Sequence, residues 1–190
     1  EVTLRAGEAI GELEQAQALI ASYDERVQIL RDQFDDPADV SISLVRLWPD
    51  NPWIMLENSF TGGIIKEVGF SVPPPQLELD DPVLTYDVRQ TRFIEERLDL
   101  IDAEFIILIP STTGDVQADT GYTSQTLTDE FQNEPIFQFL EAAQTGNVFE
   151  AGVHWNVTGI YSAHYVLDDL FRYIAHVDPD EVAPNPLRLE

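Results

Sequence analysis

The segment from Asn147 to Ile174, NVFEAGVHWNVTGIYSAHYVLDDLFRYI, constrains the fold of this chain more than any other. It predicts a short strand, a loop that carries His154 and Trp155, a glycine, and an amphipathic helix over residues 160–175. In open α/β sheets, ligands bind at the loops that follow the carboxyl ends of the strands. The order of these elements therefore predicts an α/β domain with an aromatic side chain at its ligand-binding edge.

Two further segments indicate the centre of a sheet. Residues 104–109, EFIILI, are nearly all apolar, which is typical of a strand buried on both faces of a parallel sheet. The β-branched residues 40–47 predict another strand, and residues 53–56 return as a strand after a Pro-rich turn. Because strands alternate with helices, we predict an α/β fold: a three-layer, Rossmann-like lobe with a mostly parallel central sheet.

The longest predicted helix covers residues 8–34 and suits an element that joins this domain to another. Its apolar and aromatic residues recur in steps of three and four, which places them on one face: Leu13, Ala16, Ile20, Tyr23, Val27, Leu30 and Phe34. Gly7 and Gly11 interrupt its beginning, where a shorter helix is expected to end. Other helices are predicted over residues 63–68, 91–99, 135–143 and 160–175. Residues 115–133 give no firm prediction.

The composition excludes several classes of function. Thirty-five acidic residues face ten basic ones, and a net charge of −25 excludes a nucleic-acid partner because such a surface repels phosphates. The acidic surface has two interpretations, a solvated exterior or a docking face for a basic partner. The chain has no cysteine, so thiolate catalysts, thiolate metal sites and disulfides are excluded. No apolar run reaches 18 residues, and no membrane span is predicted.

The sequence carries no established catalytic motif. It contains no G-x-G-x-x-G fingerprint, Walker motif or G-x-S-x-G elbow. We therefore predict no catalytic residue, no resident metal and no cofactor. His164 and Asp168 lie four residues apart on the last helix, a spacing that allows either a shared metal ion or a surface hydrogen bond.

Four predicted strand-end loops converge at the expected ligand-binding edge: residues 46–49, 58–61, 110–113 and 153–156. They carry aromatic, cationic and hydroxyl side chains, and Arg89 is placed to join them. Such a lining suits a bulky, partly aromatic, anionic ligand. Two alternatives remain open here. Trp48 and Trp155 are also suited to a core or a lid, and Arg46 also has many acidic residues with which to pair.

Four segments, in the same order, resemble the periplasmic siderophore-binding proteins of iron ABC importers, the class III solute-binding proteins. Residues 40–73, VSISLVRLWPDNPWIMLENSFTGGIIKEVGFSVP, are similar to the family's strand, loop and "iLkelGf" helix. Residues 93–109, FIEERLDLIDAEFIILI, are similar to its "sxExLxxidaDxifv" segment. Residues 147–174 are similar to its "grVyxvxxxxWxxxGxxaaxxvLddl" ending, and residues 8–34 to the long helix between its two lobes.

The resemblance implies a function without catalysis: the substrate-binding component of an ABC transporter that takes up a ferric siderophore or related ferric chelate. The ligand-binding positions that it implies are Arg46, Trp48, Ser59, Phe60, Thr61, Arg89, His154 and Trp155. Arginine suits this role because it stays charged and pairs with carboxylate or catecholate oxygens. Glu67 is the implied contact with the membrane permease. The full-length protein is then expected to be periplasmic or extracellular and anchored to the cell envelope.

The resemblance also implies how the chain is divided. Residues 1–36 correspond to the end of the N-lobe and the inter-lobe helix, residues 37–176 to the C-terminal α/β lobe, and residues 177–190 to a peripheral, Pro-rich tail. A complete family member has two lobes, so this segment supplies half of a pocket. Its inter-lobe face is expected to be apolar and to favour a homodimer.

Two functions of other classes remain alternatives. One is a flavodoxin-like nucleotide- or cofactor-binding enzyme domain that uses the same crevice. The other is a protein-interaction module whose acidic face is its working surface.

Overall fold

The computed structural model describes residues 2–49, 52–79, 90–92, 97–111, 121 and 123–188. The chain divides into two compact units. The helical unit consists of Glu1–Pro37 together with Val153–Glu190, and the sheet unit is Ala38–Gly152. The first unit boundary falls one residue after the predicted domain boundary between residues 36 and 37, and the predicted division into domains stays a prediction. The closing helix differs from the prediction, because it belongs to the helical unit and not to the same unit as the sheet.

The described residues form short strands and helices. The strands are β1 (Ile42–Leu47), β2 (Pro52–Met55), β3 (Gln90–Arg92), β4 (Phe105–Pro110) and β5 (Val148–Glu150). The helices are α1 (Val2–Ile10), α2 (Leu13–Arg31), α3 (Phe60–Val68), α4 (Pro74–Leu77), α5 (Ser124–Asn133), α6 (Glu141–Thr145), α7 (Ile160–Tyr173) and α8 (Pro179–Val182). Turns of 3₁₀ helix cover Pro37–Asp39, Leu98–Leu100, Pro135–Phe139 and Val153–Asn156. None of the helices described here is long and apolar enough to span a bilayer.

The sheet unit is built on a five-stranded mixed sheet with the order β3-β2-β1-β4-β5. β4 runs parallel to both β1 and β5, whereas β2 runs antiparallel to both β1 and β3. The α/β class is therefore confirmed. The sheet is less parallel than predicted because the connection from β1 to β2 is short, and parallel neighbours need a long crossover.

The core of the sheet unit lies on β4 and its neighbours. All six residues of β4 are buried, which confirms the prediction of a strand covered on both faces. On one face of the sheet, Val45 of β1, Ile54 of β2 and Ile106 of β4 form a cluster with Leu127 of α5. Helix α5 packs against β1 and β4. This packing places residues 124–133, the last part of the polar segment that gave no firm prediction.

Two predicted helices of the sheet unit are wrong in part. The helix predicted over residues 91–99 begins as strand β3, which pairs with β2. The helix predicted over residues 135–143 is divided at Leu140, whose backbone is extended. The Asp102 carboxylate accepts a hydrogen bond of 2.8 Å from the Glu141 backbone N–H, so helix α6 begins there.

The helical unit begins with two helices rather than one. The chain turns at Gly11, where φ is +80°, which confirms the predicted interruption. A Cβ at Gly7 would lie 2.5 Å from the Ala16 Cβ, so a glycine is needed where α1 packs against α2. Helix α2 also packs against the closing helix α7. The expectation of a peripheral tail is wrong, because Ala183 and Asn185 are buried.

Candidate functional site

The carboxyl ends of β1 and β4 lie side by side in the sheet unit. Their parallel register pairs Arg46 with Ile109, and the Ser111 backbone N–H donates to the Leu47 carbonyl oxygen at 2.9 Å. The Arg46 Nε donates to the Ser111 hydroxyl at 2.6 Å, and its guanidinium carbon lies 5.0 Å from the centre of the Trp48 ring. Arg46, Trp48 and Ser111 are called the strand-end rim below.

The electrostatics of the strand-end rim are unusual for so acidic a chain. Burial lowers the pKa of Arg46, yet arginine stays charged at any physiological pH. Among the residues that the structure describes, no carboxylate forms an ion pair with Arg46, and no group bonds its two terminal nitrogens. A partly desolvated cation with unused donors attracts an anion strongly. Within the described residues, this pattern differs from the alternative in which Arg46 serves an internal ion pair.

The loop before α3 contributes less than predicted. The Ser59 side chain is 3% exposed, and its hydroxyl accepts a hydrogen bond of 3.0 Å from the Gly62 backbone N–H, which caps the helix. Thr61 is 2% exposed. A Cβ at Gly62 would lie 2.2 Å from the Leu56 carbonyl oxygen, so the loop is closely packed. Ser59 therefore caps the helix, Thr61 is buried, and Phe60 is half-buried; the predicted contact of these residues with a ligand stays a prediction.

The predicted residues of the last loop belong to the helical unit. Trp155 is 4% exposed, and its indole N–H donates to the Asp169 carboxylate at 2.8 Å. The same carboxylate oxygen lies 2.8 Å from the His154 Nε2. This arrangement supports the core interpretation of Trp155. His154 is partly exposed beside Tyr165, at 5.8 Å between ring centres.

For two further predicted site residues, Arg89 and Glu67, the structure gives little information about a role. Arg89 lies outside the described residues. Glu67 is exposed on α3, as a residue that contacts another protein would be. The predicted assembly of Arg46, Trp48, Arg89 and Trp155 on one rim stays a prediction.

The pair His164 and Asp168 is neither a surface hydrogen bond nor a metal site. Both side chains are buried, and the guanidinium of Arg26, itself 2% exposed, binds both of them. Asn185 and Arg188 also donate to the Asp168 carboxylate, at 3.0 and 2.8 Å. In the part of the chain that the structure describes, no cluster of three histidine or acidic residues is arranged to hold a metal ion.

Sequence reasoning did not single out Ser111 or Arg26. Ser111 lies in one of the predicted strand-end loops. It directly follows β4, which runs parallel to the strand that carries Arg46, and this position could have indicated that the two side chains meet. Arg26 falls beside Val27 on the inward face of α2, where an arginine requires an acidic partner from another element. That partner, Asp168, is more than a hundred residues away in sequence.

Comparison with known proteins gives one fold. No family model matches the chain. It is 25% identical over 170 residues to the probable siderophore-binding lipoprotein YfiY of Bacillus subtilis, which covers 87% of the chain and 50% of YfiY. Staphylococcus aureus SirA complexed with staphyloferrin B superimposes with a TM-score of 0.70 at 21% identity, over 90% of this chain and 59% of SirA.

A second solved structure agrees. The siderophore periplasmic binding protein from the fuscachelin gene cluster of Thermobifida fusca gives a TM-score of 0.71 at 19% identity, over 92% of this chain and 58% of that one. This chain has the fold of siderophore-binding proteins. The resemblance stated from the sequence is thereby confirmed. The chain spans about half the length of the curated relative that it matches.

Proposed function

We propose that this chain forms one lobe of the substrate-binding component of an ABC importer for a ferric siderophore or a related ferric chelate. The observation that carries the proposal is the strand-end rim. In a chain with a net charge of −25, Arg46 is a half-buried cation without a carboxylate partner among the described residues, and it lies at the carboxyl ends of parallel strands. Open α/β sheets bind ligands at this edge.

The geometry of the strand-end rim suits an anionic chelate. Ser111 and Trp48 hold the guanidinium through its Nε and its face, which leaves the end with two terminal nitrogens for the ligand. That end donates two parallel hydrogen bonds to a carboxylate or to neighbouring catecholate oxygens. The indole of Trp48 is half-buried and offers an apolar surface to the organic part of the chelate. The ligand is bound and released unchanged, without a cofactor.

The remaining parts of the proposal concern the whole protein. Phe60, Arg89 and His154 are proposed as further ligand contacts, and Glu67 as the contact with the membrane permease. A homodimer through the inter-lobe face is also proposed. The relatives include a lipoprotein and a periplasmic binding protein, which supports a location outside the cytoplasmic membrane with an anchor in the cell envelope.

Calorimetric titration with three ferric chelates tests the proposal. Ferric staphyloferrin B represents carboxylate chelates, a ferric tris-catecholate represents strongly anionic ones, and a neutral ferric tris-hydroxamate serves as the comparison. We expect saturable binding of the anionic chelates and weaker binding of the neutral one, because Arg46 needs a counter-charge.

Two variants make this test specific. Arg46→Gln removes the cation of the strand-end rim, whereas Arg97→Gln removes an exposed cation of the same unit that is paired with Asp99. Only the first change should weaken binding. If none of the three chelates binds, or if both variants lose affinity equally, the proposed function is wrong.

A further inference from the structure

A cleft of about 280 Å³ lies in the sheet unit between the end of β1 and helix α5. Its floor is apolar and buried, and includes Leu127, Phe137 and Leu140. Trp48 and Phe131 form aromatic, half-buried walls. The cleft is therefore apolar at depth and aromatic at its sides, which is the usual construction of a small-molecule site.

Two carboxylates border the cleft. Glu130 lies in α5 and Glu134 directly follows it, four residues later, and both side chains are exposed. Glu134 ends α5 with an extended backbone, so both carboxylates belong to the last turn and the end of that helix, and both border the cleft. Within the described part of the chain, neither carboxylate has a basic partner at ion-pair distance. The mouth of the cleft thus carries two uncompensated negative charges over an apolar floor.

We propose that this cleft binds a small amphipathic cation, an aromatic amine whose ring lies on the apolar floor and whose ammonium group lies between Glu130 and Glu134. The volume suits one or two fused rings with a short side chain. The guanidinium carbon of Arg46 lies 5.0 Å from the centre of the Trp48 ring, so the ammonium group of the ligand is assigned to the two carboxylates and not to that face of the ring. The cleft shares Trp48 with the strand-end rim, but its two carboxylates repel an anionic chelate, so its expected ligand differs from that of the rim and the inference does not depend on the proposed function.

Three indole compounds of similar shape test the charge requirement. Tryptamine is a cation, tryptophol is neutral and indole-3-propionate is an anion, and calorimetry at 25 °C measures each of them. We expect tryptamine to bind about threefold to tenfold more tightly than tryptophol, the range that one or two exposed ion pairs provide. Indole-3-propionate should bind most weakly. Equal affinities for all three, or no binding of tryptamine, would overturn the proposal.

Variants of α5 test the location of the site. The double change Glu130→Gln and Glu134→Gln should reduce the tryptamine affinity to that of tryptophol. Asp129→Asn is the matched control, because Asp129 lies on the same helix, bonds to Gln125 and does not border the cleft. Ile136→Trp, which fills the cleft from a half-buried wall position, should abolish binding at an unchanged melting temperature. The proposed location would be wrong if tryptamine still binds to Ile136→Trp. It would also be wrong if Asp129→Asn weakens tryptamine binding as much as the double change does.

Sedimentation equilibrium tests whether a second copy of the chain, and not a small molecule, occupies the cleft. The proposal predicts that Ile136→Trp leaves the sedimentation mass unchanged. A dimer that this substitution dissociates would assign the cleft to self-association and overturn the proposal. Ferric chelate binding should be unaffected by the α5 variants, so failure of the amine proposal and failure of the proposed function are distinguishable.

Discussion

Two arginines show how differently this chain uses its few cations. Arg26, in the helical unit, is almost wholly buried and donates to the Asp168 carboxylate, the Ala183 carbonyl oxygen and the His164 carbonyl oxygen. Arg46, in the sheet unit, is half-buried and donates to the Ser111 hydroxyl alone among the described residues. The first guanidinium has its hydrogen-bonding capacity satisfied within the protein, whereas the second retains most of it.

This difference distinguishes a structural cation, Arg26, from a proposed binding cation, Arg46. A buried arginine without partners would destabilise the fold, so Arg26 is surrounded by acceptors from α7 and the tail. At Arg46 the desolvation is partial, and we propose that a bound anion supplies the partner that the described residues do not. The contrast predicts opposite consequences when each arginine is replaced by a residue of similar length.

The largest effect is expected for Arg26→Met. Removing the guanidinium takes one partner from the buried Asp168 carboxylate and from the carbonyl oxygens of Ala183 and His164. Loss of one member of a buried charge network costs about 3–5 kcal/mol in the free energy of unfolding. Urea denaturation measures this loss. Arg31→Met, an exposed position of the same helix, should change stability by about 0.5 kcal/mol or less.

A second prediction concerns Arg46→Met. The free energy of unfolding should change by less than about 1 kcal/mol, because a single hydrogen bond is lost. The affinity for an anionic ferric chelate should fall about tenfold to a hundredfold, since a hydrogen bond to a charged group contributes about 1.5–3 kcal/mol. Calorimetric titration and urea denaturation of the same variant give both numbers. A large loss of stability with unchanged affinity would place Arg46 in the structural class beside Arg26.

A smaller effect is expected for Ser111→Ala. Ser111 is a positioning residue, because its hydroxyl accepts from the Arg46 Nε and fixes the direction of the guanidinium. We expect the chelate affinity to fall about threefold to tenfold, equivalent to one hydrogen bond of about 1 kcal/mol. Ser162→Ala is the control, since Ser162 is a buried serine that bonds to backbone carbonyls of the helical unit. That variant should lose stability and keep the affinity of the folded protein.

The smallest predicted effect is a dependence of stability on pH in the helical unit. Burial, followed by the charge of Arg26, lowers the pKa of His164 in the folded protein. The Nδ1 of His164 accepts from the Arg26 Nη1 at 3.1 Å, and its Nε2 lies 3.2 Å from the Leu19 carbonyl oxygen, so the neutral ring suits the site. The unfolded chain therefore takes up the proton first on acidification.

The direction of this pH dependence follows from the order in which the unfolded and folded chains take up the proton. The contribution of His164 to stability is complete above the unfolded-state pKa of about 6.5 and is lost as the pH falls towards the lower pKa of the folded state. His164→Gln should flatten the stability profile between about pH 5.5 and 7.5, measured by urea denaturation. An unchanged slope in His164→Gln would refute the assignment.

Much of the fold could be predicted from local pattern. The apolar run of β4, the β-branched run of β1 and the helix α7 form where their periodicity indicates, because each segment buries a face that its own residues define. The errors arose where a partner distant in sequence decides the structure. Strand β3 forms against β2 at the beginning of a segment that was predicted to be a helix, and the backbone at Leu140 extends before Asp102 caps α6.

The candidate site was predictable to the same extent. Arg46 and Trp48 could be found because they lie at the end of a strand whose position the pattern predicts. The buried state of Ser59 and Trp155 could not be found, because it depends on the Gly62 backbone and on the Asp169 carboxylate. Arg26 was missed for the same reason, since its partners lie on α7 and in the tail.

The most direct measurement of the central claim is a crystal structure of this chain with ferric staphyloferrin B, in which anomalous scattering locates the iron. We expect an iron peak beside the strand-end rim, with chelate oxygens about 2.7–2.9 Å from the terminal nitrogens of Arg46. An iron peak elsewhere on the molecule, or an Arg46 guanidinium paired with a carboxylate of the protein in the presence of bound chelate, would contradict it.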